Sequence, residues 1–588
     1  MPAIEYRICP KDLNRHHFEV ELLIKHPNPD GQRIQLPSWI PGSYLIRDFS
    51  KNIESIEAFA DNKRQQSLHL ELKKINSSTW ELPPHIGPVK IRMNVYAFDT
   101  SVRTAYLDQY RGFYNHSSLC LQVLGQSHLP CQVEIIQTRQ ISRWEVATTL
   151  KNRDINRQGF GTYIAANYDE LIDQPVALGS FTRLNWKSHG IAHEMAIQGS
   201  IEEIDQKKII TDLQAICNAH ITFFDPRKKR APFEKYLFLV NTIGQGYGGL
   251  EHRSSTALLC NRGDLPLKNT DANTNQNAYQ NFLGLCSHEY FHSWIVKKVQ
   301  PKAFQPYTLD RKNFTYLLWL FEGFTSYYDD LQLFRSRRIT QEQYLKRVLD
   351  TWNSVLKTPG RLKQSVADSS FDAWTKYYQI DENTPNAVVS YYAKGALIAL
   401  GLDLIIRDWS GNKKSLDDVM RTLWKKHGAW GNQPGIGLDE NGFEQIILET
   451  LGKNFGPIWK KFSQQYIDGT KDLPLEKLFL KVGLKFQHKK ISGLEHIKST
   501  LGMRTVASDG WVKITHVLDG GAAQISGIAP GDILVSVNRE RVTPGRLDEI
   551  LGRIHQQSQV TIFRHDLELN LSLKFTNLVT QQFELLKE

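Results

Sequence analysis

The chain has 588 residues, too many for one hydrophobic core, so roughly three or four domains are expected. Apolar residues at 41%, charged residues at 23% and aromatics at 11% exclude a disordered chain. The net charge of +10 is spread over scattered basic residues, with only short clusters at Arg227–Arg230 and Lys489–Lys490 and no nucleic-acid-binding motif, so no nucleic-acid partner is expected.

The start, Met1-Pro2-Ala3-Ile4-Glu5, lacks the basic and apolar stretches of a secretory signal. No run approaches roughly 18 consecutive apolar residues, so no membrane partner is expected. Six cysteines, at 9, 120, 131, 217, 260 and 286, lie far apart without a Cys-x-x-Cys pair. They read as reduced, buried thiols of a cytoplasmic protein.

In chain order, residues 1–190 read as an antiparallel β domain. Val89, Ile91, Met93 and Val95 alternate with polar residues, and so do Phe18, Val20 and Leu22. Turn signals at Pro27–Gly31 and Pro83-Pro84 separate such runs. Tyr236–Val240 is a continuous apolar run, as a buried central strand requires. A glycine-rich turn follows, Gly244–Gly249, and then a second strand around Thr256–Leu259. Helices dominate from 278 to 470, with capping-box patterns at Thr340-x-x-Gln343 and Ser415-x-x-Asp418. From 475 to 588, short strands such as Trp511–Val517 and Gly/Pro turns return, marking a small separate domain.

The central motif is His288-Glu289-Tyr290-Phe291-His292. A helix turns about 100° per residue, so the two histidines stack on one face, one turn apart, where both imidazoles can reach a single zinc ion. Glu289 lies beside them, able to reach a water without ligating the metal. Cys286 reads as core. A catalytic zinc takes three protein ligands and keeps one position open. Glu322, inside the apolar run Trp319-Leu-Phe-Glu322-Gly323, supplies the third, because a lone carboxylate there is costly to bury without a cation. Gly323 beside it removes a side chain and is expected to let the histidine helix and the glutamate helix approach.

These motifs resemble the thermolysin-like zinc peptidases whose third ligand is glutamate, and among them the glycyl aminopeptidase family, which carries a C-terminal PDZ domain. Leu36–Asp48, with Trp39, Pro41, Gly42 and Tyr44, is similar to that family's N-terminal signature. His288–Trp294 and Leu318–Tyr328 match its metal motifs. Gly527-Ile-Ala-Pro-Gly-Asp532 resembles a PDZ core. The resemblance implies a multidomain α+β protein: an N-terminal antiparallel β domain (1–190), a mainly helical thermolysin-like peptidase domain with a small sheet (191–474), and a PDZ-like β domain (475–588). It implies one zinc per chain on His288, His292 and Glu322, with Glu289 as general base.

Two further roles follow from the resemblance. Gly248-Gly249-Leu250-Glu251-His252 is similar to a strand whose glutamate binds the free amine of a peptide substrate; Leu and His stand where relatives have Met and Asn. Tyr392-Ala-Lys394-Gly395 resembles the segment whose tyrosine stabilises the oxyanion, with Tyr391 as the adjacent alternative. The implied activity is removal of a small first residue, glycine or alanine. A peptide C-terminus is the implied partner of the PDZ-like domain, with Leu501-Gly502-Met503 as its carboxylate loop; a purely structural role for that domain is the other reading. Two other functions stay open: a peptide-binding adapter on an inactive scaffold, and an endopeptidase.

Overall fold

The structure, a computed structural model, describes residues 2–61, 67–199, 203–268, 275–431, 434–575 and 582–586. The chain forms two compact units: Met1–Asn313 with Tyr328–Thr340 and Met420–Asp439, and Phe314–Tyr327 with Gln341–Val419 and Glu440–Glu588.

The first unit opens with an eight-stranded sheet in the order Lys151–Ile155, Gly161–Ala165, Cys131–Ile135, Ile4–Asp12, His17–Ile24, Val89–Tyr96, Ile53–Asp61 and Ser67–Leu70. All neighbours are antiparallel except Ile4–Asp12 with Cys131–Ile135. The two alternating runs seen in the sequence are cross-strand partners: Phe18 faces Val95, Val20 faces Met93 and Leu22 faces Ile91. All six are buried, so one face of this sheet is core and the other polar.

A second, five-stranded sheet runs Thr182–Ser188, Ile191–Gln198, Lys235–Ile243, Ser255–Asn261 and Gly248–Glu251. Its three central strands are parallel, joined by the helix Gln206–Phe224 between the second and third, as a parallel pair requires. The predicted apolar run Tyr236–Val240 lies in the middle strand and is wholly buried. Gly248–Glu251, which the resemblance marks as a strand after the glycine-rich turn, is a short antiparallel strand at the sheet's edge. The helix Gln276–Phe291 packs on the last two strands and on Gln206–Phe224.

The second unit is helical and then β. Gln341–Leu356 follows directly on Thr340, and Ala393–Ser410 is its most deeply buried long helix. The PDZ-like part has strands Met503–Ser508, Trp511–Val517, Ile533–Val537, Gln559–Arg564 and Leu567–Ser572 in that order, all antiparallel. Leu501, Val512, Ile514, Leu534, Val560 and Ile562 fill its core. Gly502, at φ 62°, ends the helix Gly493–Leu501, and Met503 opens the edge strand. No helix among the described residues is long and apolar enough to cross a membrane.

Three histidines in the first unit are buried and held neutral. Burial pushes His116 and His193 down to about 4 and His220 to about 3. In the unfolded chain they titrate near about 6.5. Below that pH the unfolded state binds more protons, so stability is full above it and is lost as pH falls towards 4. The expected loss is about 1.4 kcal/mol per pH unit for each histidine. Calorimetric midpoints between pH 7.5 and 4.5 check it: a midpoint that holds steady down to pH 4.5 contradicts the assignment.

Candidate metal centre

The histidine helix Gln276–Phe291 is buried on nearly every side, as its apolar composition requires; Phe282, Leu283, Leu285, Tyr290 and Phe291 line it. Cys286 is buried there too, and burial raises its thiol well above the ordinary range. The helix ends at His292, its C-cap. Lys297 and Lys298 follow in a turn, with the Lys297 N–H donating to the His292 carbonyl at 3.1 Å.

The rings of His288 and His292 meet at 84° with centroids 4.7 Å apart. His288 Nδ1 lies 2.9 Å from an Asp329 carboxylate oxygen, and His292 Nδ1 lies 3.1 Å from the Ile295 carbonyl. Both partners only accept, so each Nδ1 carries the proton and each Nε2 presents a lone pair. Those two Nε2 atoms face each other at 3.1 Å. Two lone pairs at that separation repel unless a cation lies between them. Asp329 stands on the helix Gly323–Arg335, and its backbone carbonyl accepts from Ser287 Oγ at 2.9 Å.

The predicted third ligand, Glu322, sits in the second unit. A helical turn, Leu318–Phe321, leads into it, its own backbone is helical, and Gly323–Arg335 continues. Trp319, Leu320, Phe321 and Phe324 are buried around it, and Glu322 itself is only 2% exposed. Gly323 is a point of close approach, and the neighbour that it admits is the helix Ala393–Ser410 of the same unit. A Cβ there would lie 2.5 Å from Gly395 Cα, and a Cβ on Gly395 would lie 2.8 Å from Gly323 Cα. The two motifs Glu322-Gly323 and Tyr392-Ala-Lys394-Gly395 therefore touch through their glycines. Lys394 is buried, donates to the carbonyls of Arg361 and Thr470, and is pushed down to about 8 by burial. Tyr391 is fully buried; Tyr392 is partly exposed, its hydroxyl 3.1 Å from that of Tyr378.

The edge strand Gly248–Glu251 runs beside Glu289. A Cβ on Gly249 would overlap the Glu289 carboxylate and sit 2.6 Å from its Cγ. Only glycine lets the backbone approach the carboxylate so closely. Arg103 Nη2 donates to the Gly249 carbonyl at 3.1 Å. Gly248 leaves more room: the nearest atom to a Cβ there is Arg103 Nη1, at 3.8 Å. Glu251 is buried, and the turn of the N-terminal signature closes on it: a Cβ on Gly42, at φ +101°, would lie 2.5 Å from Glu251 Oε1.

Residues 5–180 match the Peptidase M61 N-terminal domain, residues 281–398 the M61 glycyl aminopeptidase, and residues 493–562 the PDZ domain. The crystal structure of an aminopeptidase N family protein from Idiomarina loihiensis is 38% identical, with a TM-score of 0.91 over 99% of this chain and 98% of that one. The chain belongs to the M61 glycyl aminopeptidase family. It is a zinc metallopeptidase with aminopeptidase relatives. An M1 zinc metallopeptidase from Deinococcus radiodurans is 12% identical, with a TM-score of 0.48 over 80% of this chain and 94% of that one. Yeast LTA4 hydrolase in complex with bestatin is 14% identical, with a TM-score of 0.46 over 79% and 65%. A comparison with curated proteins gives no match.

In the first unit of this M61 peptidase, the two imidazole nitrogens that their orienting partners turn towards each other are donors that suit zinc. Behind the site, one buried carboxylate ties several elements together. Asp173 lies 3.3 Å from Lys297 Nζ and accepts from the Arg253 N–H at 2.9 Å. Burial alone would raise its pKa; Lys297, Arg253 and His252 outweigh that and hold it well below the usual carboxylate range. Asp173 thus fixes the turn after His292 and the turn after Glu251 at once. Sequence reasoning missed Asp173, Asp329, Arg103 and the contact of Gly42. Only Asp329 left a signal, standing two helical turns after Glu322.

Two substitutions test this geometry. Gly249→Ala has no backbone strain but displaces the Glu289 side chain; turnover is expected to fall about 100-fold or more with the thermal midpoint nearly unchanged. Near-normal turnover in that variant contradicts the close approach. Asp329→Ala frees the His288 ring, and zinc affinity, read by competition with a chelator, is expected to fall roughly 10–100-fold.

Proposed function

We propose that this zinc peptidase removes single residues from the free N-terminus of peptides, preferring glycine or alanine, with His288, His292 and Glu322 as the zinc ligands. The observation that carries the reading is the approach of the edge strand to Glu289: the strand that ends in Glu251 passes directly against that carboxylate at Gly249. A group that binds the amine and a group that moves protons are thereby held a fixed distance apart. The ligand assignment is supported by the facing Nε2 pair and by helix geometry, since seven residues, about two turns, separate Glu322 from Asp329, which orients His288.

A bound zinc ion supplies Lewis acidity, polarising the scissile carbonyl and acidifying water. The remaining steps belong to the chain's own groups. The Glu251 carboxylate accepts hydrogen bonds from the substrate's ammonium and sets the scissile bond one residue from the end. Glu289 takes a proton from the attacking water and delivers it to the departing amine. The Tyr392 hydroxyl donates to the carbonyl oxygen as negative charge develops on it. Its partial exposure supports Tyr392 over the fully buried Tyr391 as the group that meets substrate. Preference for a small first residue is supported by the turn at Gly42, whose backbone closes over Glu251 and leaves little room beside the amine. The edge strand Met503–Ser508 of the PDZ domain offers backbone groups to which a peptide could add as a further strand.

A panel of amino-acid chromogenic amides, with and without chelator, tests the activity: glycine and alanine amides are expected to be cleaved fastest, and the chelator to abolish cleavage. Glu289→Gln is expected to lose roughly 10²–10⁴-fold in kcat while still binding about one zinc per chain. Glu251→Ala is expected to raise KM for free peptides. If N-acetylated peptides are cleaved as well as free ones, the enzyme is an endopeptidase and the reading fails.

A further inference from the structure

The PDZ-like part of the second unit is bound to the segment that carries the two tyrosines. The contact centres on Asn386, which is 5% exposed and lies in the turn Thr384–Ala387. Its Nδ2 donates to the Val517 carbonyl at 2.8 Å, and its Oδ1 accepts from the Asp519 N–H at 2.9 Å. One side-chain amide thus satisfies two backbone groups of a PDZ turn, as a neighbouring peptide strand would. Asp519 also pairs with Lys363.

From Asn386 the chain reaches Tyr391 in five residues, and Val388, Val389 and Ser390 on the way are held. The Val389 N–H donates to Gln364 Oε1 at 3.2 Å, and the Val389 carbonyl accepts from Ser369 Oγ at 2.5 Å. The Ser390 hydroxyl lies 3.0 Å from that of Tyr377 and accepts from the Ala393 N–H at 3.1 Å. A Cβ on Gly360 would lie 2.6 Å from the Val388 nitrogen, so backbone packs on backbone there.

A second clamp of the same kind fixes the chain beyond the PDZ core. Asn353 donates to the Phe583 carbonyl at 2.9 Å and accepts from the Phe583 N–H at 2.8 Å. Phe583 stacks on Trp352 with centroids 4.1 Å apart. The strands that flank the PDZ core, Phe486–His488 and Phe583–Leu585, pair with each other beside Trp352 of the helix Gln341–Leu356. A module tethered only to recruit substrate needs neither clamp.

We propose that the PDZ domain is a working part of the catalytic machinery, and that Asn386 is a positioning residue through which the turn Val517–Asp519 fixes the tyrosine that meets the oxyanion. The inference rests on the aminopeptidase reading above for the role of that tyrosine, not for the clamp itself. Full-length Asn386→Ala and the isosteric Asn386→Asp test it. Both are expected to lose about tenfold or more in kcat, with KM and zinc content within about twofold of the parent. In a Tyr392→Phe background the Asn386 substitutions are expected to add no further loss. Hydrogen exchange is expected to quicken at residues 388–394. An unchanged kcat, a loss that multiplies with that of Tyr392→Phe, or unchanged exchange at 388–394 overturns the proposal. A parent protein that cleaves no peptide sinks the aminopeptidase reading instead, and exchange at 388–394 still decides the clamp.

Discussion

The site depends on two imidazole nitrogens made to face each other at 3.1 Å. Two neutral imidazoles left to themselves turn such lone pairs towards donors or water. Here the opposite nitrogens are committed, one to the Asp329 carboxylate and one to the Ile295 carbonyl, so the rings cannot turn away. Helix spacing brings the rings together, and acceptors outside the pair orient them. A divalent cation resolves the repulsion.

Close backbone approach does the rest of the positioning. Gly249 admits the Glu289 carboxylate, Gly42 admits that of Glu251, and Gly323 meets Gly395 so that the glutamate segment and the tyrosine segment pack without side chains between them. Alanine at Gly249 meets the Glu289 side chain, so it costs function before stability; at Gly42, where φ is +101°, it strains the backbone as well. At the third it meets backbone, and the helices must part.

The sequence made some of this legible. Local periodicity was enough for the paired strands at 17–24 and 89–96, for the central strand at 235–243, and for the stacked histidines. The residues that orient the site were not legible, because their meaning lies in tertiary contacts. Asp173 stands about 120 residues from Lys297 in sequence, and Arg103 donates to a carbonyl at Gly249. The boundary expected at 190 falls between two strands, Thr182–Ser188 and Ile191–Gln198, that pair with each other in one sheet. The early end of the histidine helix was hidden as well, since Lys297 and Lys298 have the composition of a helix end but serve buried roles in the following turn.

Burial of charge bears on whether the scaffold is an enzyme or an inert adapter. Glu251, Glu289 and Glu322 are each at most 5% exposed. Holding a carboxylate in such surroundings costs several kcal/mol unless cations and hydrogen bonds compensate. Apolar residues of similar volume would commonly hold the same packing at no loss, or with a gain, in stability. A chain that only displayed a PDZ domain would have no use for two buried acids, Glu251 and Glu289, beside two oriented imidazoles and an edge strand. That arrangement is intelligible as part of a metallopeptidase.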